Sequence, residues 1–389
     1  MSTSNMSTIE KLLKDTKLVV IKIGSALIVD PATGKARSSW MQELGADVAR
    51  LRAAGTQVVL ISSGSIALGR QHLQLPAGAI KLPEKQAAAA IGQVELAQLW
   101  SNAMRDHDIR TAQILWAPED TETRRRHINA RTTIQTLLGL GFVPVVNEND
   151  TVTTYEIRFG DNDRLAARLA GMISADLLIL LSDVDGLYTK NPHQTQDAEH
   201  IPEIKQIDDE ILALGGAANA EFASGGMATK LAAARIATQA GADMIICEGS
   251  AARPVSALLT GAKYSLFHRR TSPKKARKNW IAGALDPKGQ IIVDEGAQTA
   301  LLKGKSLLPV GIRAISGQFE RGDLVQITDE GGQELGHGLA GYSAAEAEKI
   351  KGQKSQIIET ILGYEGRAEL IHADDLVLRG DLADNQLTE

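Results

Sequence analysis

Apolar and polar positions along the 389-residue chain follow two successive patterns. Up to about residue 268, short β-branched and aliphatic runs alternate with stretches in which apolar residues recur every three or four positions. That alternation predicts strands joined by amphipathic helices, and therefore a mostly parallel sheet. The predicted strands are Leu18–Ile23, Gln57–Ile61, Ile109–Leu115, Val143–Val146, Asp176–Leu181 and Met244–Cys247. Asp176–Leu181 is too apolar for an exposed face and belongs at the sheet centre. Predicted helices include one with Leu44, Val48 and Leu51 on one face, opened by the capping-box spacing of Ser39 and Gln42 and closed at Gly55. Others span Glu84–Met104, Arg164–Met172 with Asp163 near its start, and the residues from Lys230 to a stop at Gly241. Beyond the basic, proline-broken run 268–278, short strands are punctuated by glycine: Ile291–Val293, Leu324–Ile327 and Leu376–Leu378. These predict a small, mostly β domain.

The apolar runs end in polar clusters at predicted carboxyl ends of strands, where open α/β sheets bind ligands. Val143–Val146 runs into Asn147-Glu148-Asn149-Asp150, and a second cluster, Gly160-Asp161-Asn162-Asp163, precedes a helix; each taken alone reads as an ordinary turn with Asx capping. Lys22 is a charge near the end of an apolar run, and the Gly24-Ser25 that follows lets backbone approach an anion, so phosphate contact is expected there. Ser62-Ser63-Gly64-Ser65 suits either a simple N-cap or a helix start that receives a substrate carboxylate, and the residues do not decide between them. Ser182-Asp183-Val184-Asp185 ends another strand. Gly215 to Lys230 is glycine-rich and feeds a helix, an arrangement suited to anionic oxygens. It is not a Walker A loop, because Lys230 follows Thr229; Gly304-Lys305-Ser306 also fails, since Thr299 stands where the first glycine belongs. Arg124-Arg125-Arg126 reads as a solvated helix face.

Composition narrows the class. With 43% hydrophobic and 23% charged residues the chain is an ordinary globular one, long enough for two domains. A net charge of −5 argues against a chain built to coat nucleic acid. Cys247 is the only cysteine, which excludes an internal disulfide and fits a reducing cytoplasm; its apolar neighbours make it a buried strand residue. The eight histidines show no metal-ligand spacing. Residues 1–16 lack a signal-peptide core, and no apolar run reaches the roughly 20 residues of a membrane span.

Taken in order, Lys22-Ile23-Gly24, Ser62-Ser63-Gly64, Asn147 to Asp150, Gly160 to Asp163 and Gly225-Gly226-Met227 with Lys230 resemble the amino acid kinase family, in its glutamate-phosphorylating members. Trp280-Ile281, Val293 to Gly296 and Ser306 to Pro309 are similar to the PUA domain appended to many of them. The resemblance implies a three-layer α/β/α sandwich with a mostly parallel central sheet, plus a small mostly-β PUA-like domain. It divides the chain into an N-terminal extension (1–16), a catalytic domain (17–268), a basic linker (269–278), the PUA-like domain (279–379) and a tail (380–389). It implies a cytoplasmic phosphotransferase that uses ATP and Mg²⁺ to phosphorylate the γ-carboxylate of L-glutamate, the first step of proline biosynthesis. By the same resemblance Lys22, Lys230 and Asp163 are catalytic. ATP is bound by Lys22, Ser182, Asp183 and Ser224, Gly225, Gly226, Met227, Ala228, Thr229 and Lys230, and glutamate by Ser63, Asp150 and Asn162. Where the family commonly has Gly-Thr-Ser after the first lysine, this chain has Gly24-Ser25-Ala26, which leaves no side-chain hydroxyl at Ala26. Feedback inhibition by proline and a homo-oligomer are also implied. The nearest alternative is another amino acid kinase, acting on N-acetylglutamate, aspartate, carbamate or a nucleotide. From a different class, an RNA-binding role for the PUA-like domain is opposed by the acidic total and an aromatic content of only 4%.

Overall fold

A computed structural model describes residues 7–75, 78, 80–117, 124–152, 162–192, 194–216, 226–282 and 287–379. The chain divides into two compact units, Met1–Glu122 with Asn129–Pro273, and Thr123–Ile128 with Lys274–Glu389.

The first unit is organised by strands β1 (Leu18–Ile23), β2 (Gln57–Ser62), β3 (Thr111–Trp116), β4 (Val143–Glu148), β5 (Leu177–Ser182), β6 (Leu187–Tyr188), β7 (His200–Ile201), β8 (Glu203–Ile204), β9 (Asp243–Glu248) and β10 (Tyr264–Phe267). Eight of them form one sheet in the order β3-β4-β2-β1-β5-β9-β10-β8, with β6 and β7 paired separately. The strands from β3 across to β9 are parallel; β10 runs antiparallel to β9. Central β1 pairs with β2 on one side and β5 on the other, so the chain crosses the sheet at β1 and brings both halves' carboxyl ends to one crevice.

Strand pleating sends alternate side chains to two cores. Ile21 and Ile23 enter one with Met41, Leu44 and Val48 of helix Ser38–Ala53 and with Leu96 and Trp100 of helix Leu82–Arg105. Val20 enters the other with Leu165 and Leu169 of helix Asn162–Ile173 and Leu231 and Ala234 of helix Met227–Gln239. Helices thus cover both faces, which is the expected α/β/α sandwich.

Most element ends shift by a residue or two, and two of the differences bear on the argument. β4 does not stop at Val146: Asn147 and Glu148 complete it, both buried. Helix Ser38–Ala53 takes Arg37 as its N-cap, so Ser39 lies inside it and no capping box forms there. The stop at Gly55 is as expected, its φ of +88° being glycine's left-handed region.

The second unit holds a five-stranded sheet, β12 (Ile312–Gly317), β11 (Gly289–Val293), β13 (Leu324–Asp329), β14 (Glu334–Leu339) and β15 (Leu376–Leu378), in that order across the sheet. Its core includes Ile291, Val293, Val325, Ile327 and Leu376. The basic run before it is not all linker. Pro273–Ala282 is a helix, and its Arg277 is buried with the guanidinium on the Asp375 carboxylate. Among the described residues no helix is long and apolar enough to cross a membrane.

Candidate active site

Lys22 shares the pleat parity of Val20, which aims it at the face covered by helices Asn162–Ile173 and Met227–Gln239. Asp163 stands in the first turn of one helix and Lys230 in the first turn of the other. The three meet: Lys22 Nζ lies 2.5 Å from Asp163 Oδ1, and Lys230 Nζ 3.2 Å from Oδ2. The side chains of Asp163 and Lys230 are buried, and that of Lys22 is 12% exposed. Burial alone would raise the Asp163 pKa, but the Lys22 and Lys230 ammoniums outweigh it and hold the carboxyl below its ordinary value. Two ammoniums held on one buried carboxylate place cationic groups at the carboxyl end of the sheet, where an anion can be received.

The second cluster grows from β2. Ser63 N donates to Ile23 O (3.3 Å), tying the ends of β1 and β2, and Gly64 at φ +111° turns the chain into helix Ser65–His72. Buried Ser62 accepts from Trp100 Nε1 at 2.8 Å, fixing the turn from beneath. Asn162 Nδ2 donates to Ser63 Oγ. Asn162 Oδ1 is buried without a hydrogen-bond partner among the described residues. Asp150 Oδ2 accepts from Ser65 Oγ at 3.4 Å, and Ser65 Oγ in turn accepts from Asn147 Nδ2 at 3.2 Å. Asn147 Nδ2 also donates to Gln93 Oε1 at 2.7 Å. Burial pushes the Asp150 carboxyl above its usual value, the Ser65 hydrogen bond only partly opposing it. Among the described residues no cation pairs with it.

At the end of β5, Ser182 Oγ donates to Asp183 Oδ1 at 2.9 Å. Across the crevice, helix Met227–Gln239 has Gly226 as its N-cap, which offers the first amides no side-chain cap; Thr229 is buried, its hydroxyl on Gly226 O at 2.7 Å. Ser224, Gly225 and the Gly160-Asp161 pair lie outside the described residues. The structure therefore brings Lys22, Asp163 and Lys230 together, and Ser63 with Asn162. It places Asp150 in a network whose other members, Ser65, Asn147 and Gln93, the sequence did not assign. Asn147 stood inside a singled-out motif; Gln93, in an alanine-rich helix, carried no signal. Cys247 is buried in β9 as expected, with its thiol pushed up to about 12, and is no nucleophile. No group of three or more His, Cys, Asp or Glu side chains able to hold a metal occurs among the described residues.

Comparison with known proteins bears on this arrangement. Residues 17–248 match the amino acid kinase family, and residues 289–362 match the PUA domain. A glutamate 5-kinase of Rhizobium meliloti (strain 1021) is 54% identical over 373 residues, covering 96% of this chain and 95% of its own. That of Bradyrhizobium sp. is 52% identical over 366 residues, covering 94% and 97%. The chain belongs to the glutamate 5-kinases of the amino acid kinase family. The amino acid kinase match runs from the start of β1 to the end of β9, and so takes in every residue of the two clusters. The PUA match begins at β11. Among solved structures, a carbamate kinase from Giardia lamblia bound to AMP-PNP is 22% identical, with a TM-score of 0.48 over 66% of this chain and 99% of that one; membership in the glutamate 5-kinases stands on the sequence relatives.

Proposed function

We propose that the chain transfers the γ-phosphoryl group of ATP to the γ-carboxylate of L-glutamate, giving ADP and L-glutamyl 5-phosphate, the first step of proline biosynthesis. The observation that carries the proposal is the pairing of two unlike clusters at one sheet edge: ammoniums around Asp163, and acceptors at the half-buried Asp150 carboxylate and the buried Asn162 Oδ1.

A glutamate γ-carboxylate, with a reference pKa near 4.3, is already ionised at neutral pH, so attack on phosphorus needs no general base. The difficulty is repulsion between acceptor and phosphates. Lys22 and Lys230, oriented by Asp163, offset it and stabilise charge on the phosphoryl group as it moves. Lys22, Ser182, Asp183 and residues 224–230 hold the nucleotide, the amides at the start of helix Met227–Gln239 facing its phosphates. Mg²⁺ arrives with ATP as the counter-ion of its phosphates. Asp150 takes the substrate's α-ammonium, a cation that its half-buried carboxylate lacks among the described residues. Asn162 Oδ1 is a second acceptor for that ammonium, and Ser63 completes the pocket.

This assignment also accounts for acceptor choice. N-Acetylglutamate has no ammonium and would leave Asp150 unpaired. The test is a screen of glutamate, N-acetylglutamate and aspartate with ATP, trapping acyl phosphate as the hydroxamate. Hydroxamate from glutamate alone is expected; product from N-acetylglutamate or aspartate in place of glutamate would overturn the assignment.

A further inference from the structure

We propose that Gln93 is a positioning residue for the acceptor site, fixing through Asn147 and Ser65 the direction of the hydrogen-bond chain that ends on Asp150. The proposal rests on Asp150 as the receiver of the substrate's ammonium. Asn147 Nδ2 has two protons, and both are used, on Gln93 Oε1 (2.7 Å) and on Ser65 Oγ (3.2 Å). Ser65 Oγ, accepting from Asn147, has one proton left, and it goes to Asp150 Oδ2 at 3.4 Å. The bonds from Asn147 to Ser65 and from Ser65 to Asp150 thus both point toward the carboxylate, while the other Asn147 proton goes to Gln93.

An acceptor on Gln93 selects that direction. Were Gln93 to offer no acceptor, Asn147 could rotate its amide and present Oδ1 to Ser65. The serine proton would then turn to Asn147, and Asp150 would lose its only hydrogen bond among the described residues. Asn147 and Ser65 are both buried, so water does not easily replace the bond between them; Gln93 and Asp150, at the two ends, are half-buried. Helix register holds Gln93 in place. A Cβ at neighbouring Gly92 would stand 1.9 Å from the Ser65 carbonyl oxygen, so only glycine lets the two helices lie this close.

The test uses the full-length chain with Gln93→Met, which keeps length without an acceptor, and Gln93→Glu, which keeps one. Gln93→Met is expected to raise the KM for glutamate about 3- to 10-fold, as loss of one hydrogen bond implies, while kcat and the KM for ATP stay within about twofold. Gln93→Glu is expected to restore most of the affinity. An equal loss in both variants, or a matching rise in the KM for ATP, would overturn the proposal. A second readout needs no substrate: the Asp150 carboxyl, followed by carbon-13 NMR, is expected to titrate at higher pH in Gln93→Met than in wild type. An unmoved titration would overturn the role of Gln93 even if glutamate is the substrate. A moved titration in a chain that makes no glutamyl phosphate would uphold it and refute the substrate assignment instead.

Discussion

Lys22 and Lys230 approach opposite oxygens of one buried carboxylate, and each comes from a different element. In the proposed roles the two lysines are held in advance for charge that shifts during phosphoryl transfer, so loss of either is expected to tell in the transition state more than in binding. Lys22→Met and Lys230→Met are each expected to lower kcat roughly 10²- to 10³-fold with a smaller change in the KM for ATP, by analogy with removing one preorganised oxyanion donor. Lys→Arg should not restore the rate, because a planar fork cannot replace a compact ammonium. Lys35→Met, in the exposed turn after Thr33, is the matched control and should be nearly silent. Steady-state kinetics on folded variants checks all of these; near-wild-type kcat in both Met variants would make the lysines structural. Lys22 was legible in the sequence because a charge in an apolar run is costly without a purpose. Asn147 and Gln93 were not assigned for the opposite reason. Both are ordinary polar residues whose meaning comes from partners 82 and 54 positions away in the chain.

At the scale of elements, the close packing of helix Ser65–His72 on helix Leu82–Arg105 sets the acceptor cluster. A Cβ at Gly69 would stand 1.8 Å from Ala88 O, as one at Gly92 would from Ser65 O at 1.9 Å. The obstacle in each case is backbone, which cannot move aside as a flexible side chain does. Gly92→Ala is expected to destabilise the chain by about 1–3 kcal/mol, the usual range for overpacking, and to raise the KM for glutamate because Ser65 is displaced. Thermal unfolding and kinetics measure the two effects; an unchanged Tm would show that the helices have room. The strands and helices themselves were legible in outline, since apolar runs and helical spacing repeat regularly from β1 to β9, but their order across the sheet was not. Element ends were less so. β4 continues through Asn147 because hydrogen bonds to Gln93 and Ser65 compensate the burial of a polar side chain, which a hydrophobic pattern cannot anticipate. The misplaced start of helix Ser38–Ala53 has a simpler cause: a spacing rule finds Ser39 and Gln42 whether or not the chain has already turned helical.

For the whole molecule, the change of pattern after residue 268 pointed to two parts, and contacts divide the chain at Pro273. What no pattern showed is that Thr123–Ile128 groups with the second unit: His127 stacks on Trp280 at 5.0 Å, and Ile128 packs with Ile281, Leu324 and Leu339. We propose that the residues up to Pro273 nevertheless carry the kinase activity. A chain ending there is expected to form acyl phosphate, with a lower Tm because Ile128 and His127 lose their partners; a truncated chain that folds by circular dichroism yet makes no hydroxamate would refute this. The central claim is that a glutamate carboxylate oxygen attacks the γ-phosphorus of ATP, and oxygen labelling tests it most directly. L-Glutamate carrying ¹⁸O in its γ-carboxylate is incubated with the full-length chain and unlabelled Mg·ATP, and the product is cleaved with hydroxylamine, which attacks the acyl carbon and releases phosphate with the bridging oxygen. Phosphorus-31 NMR should show inorganic phosphate with one ¹⁸O. Phosphate containing only ¹⁶O would mean that water, not glutamate, accepts the phosphoryl group, and would contradict the account.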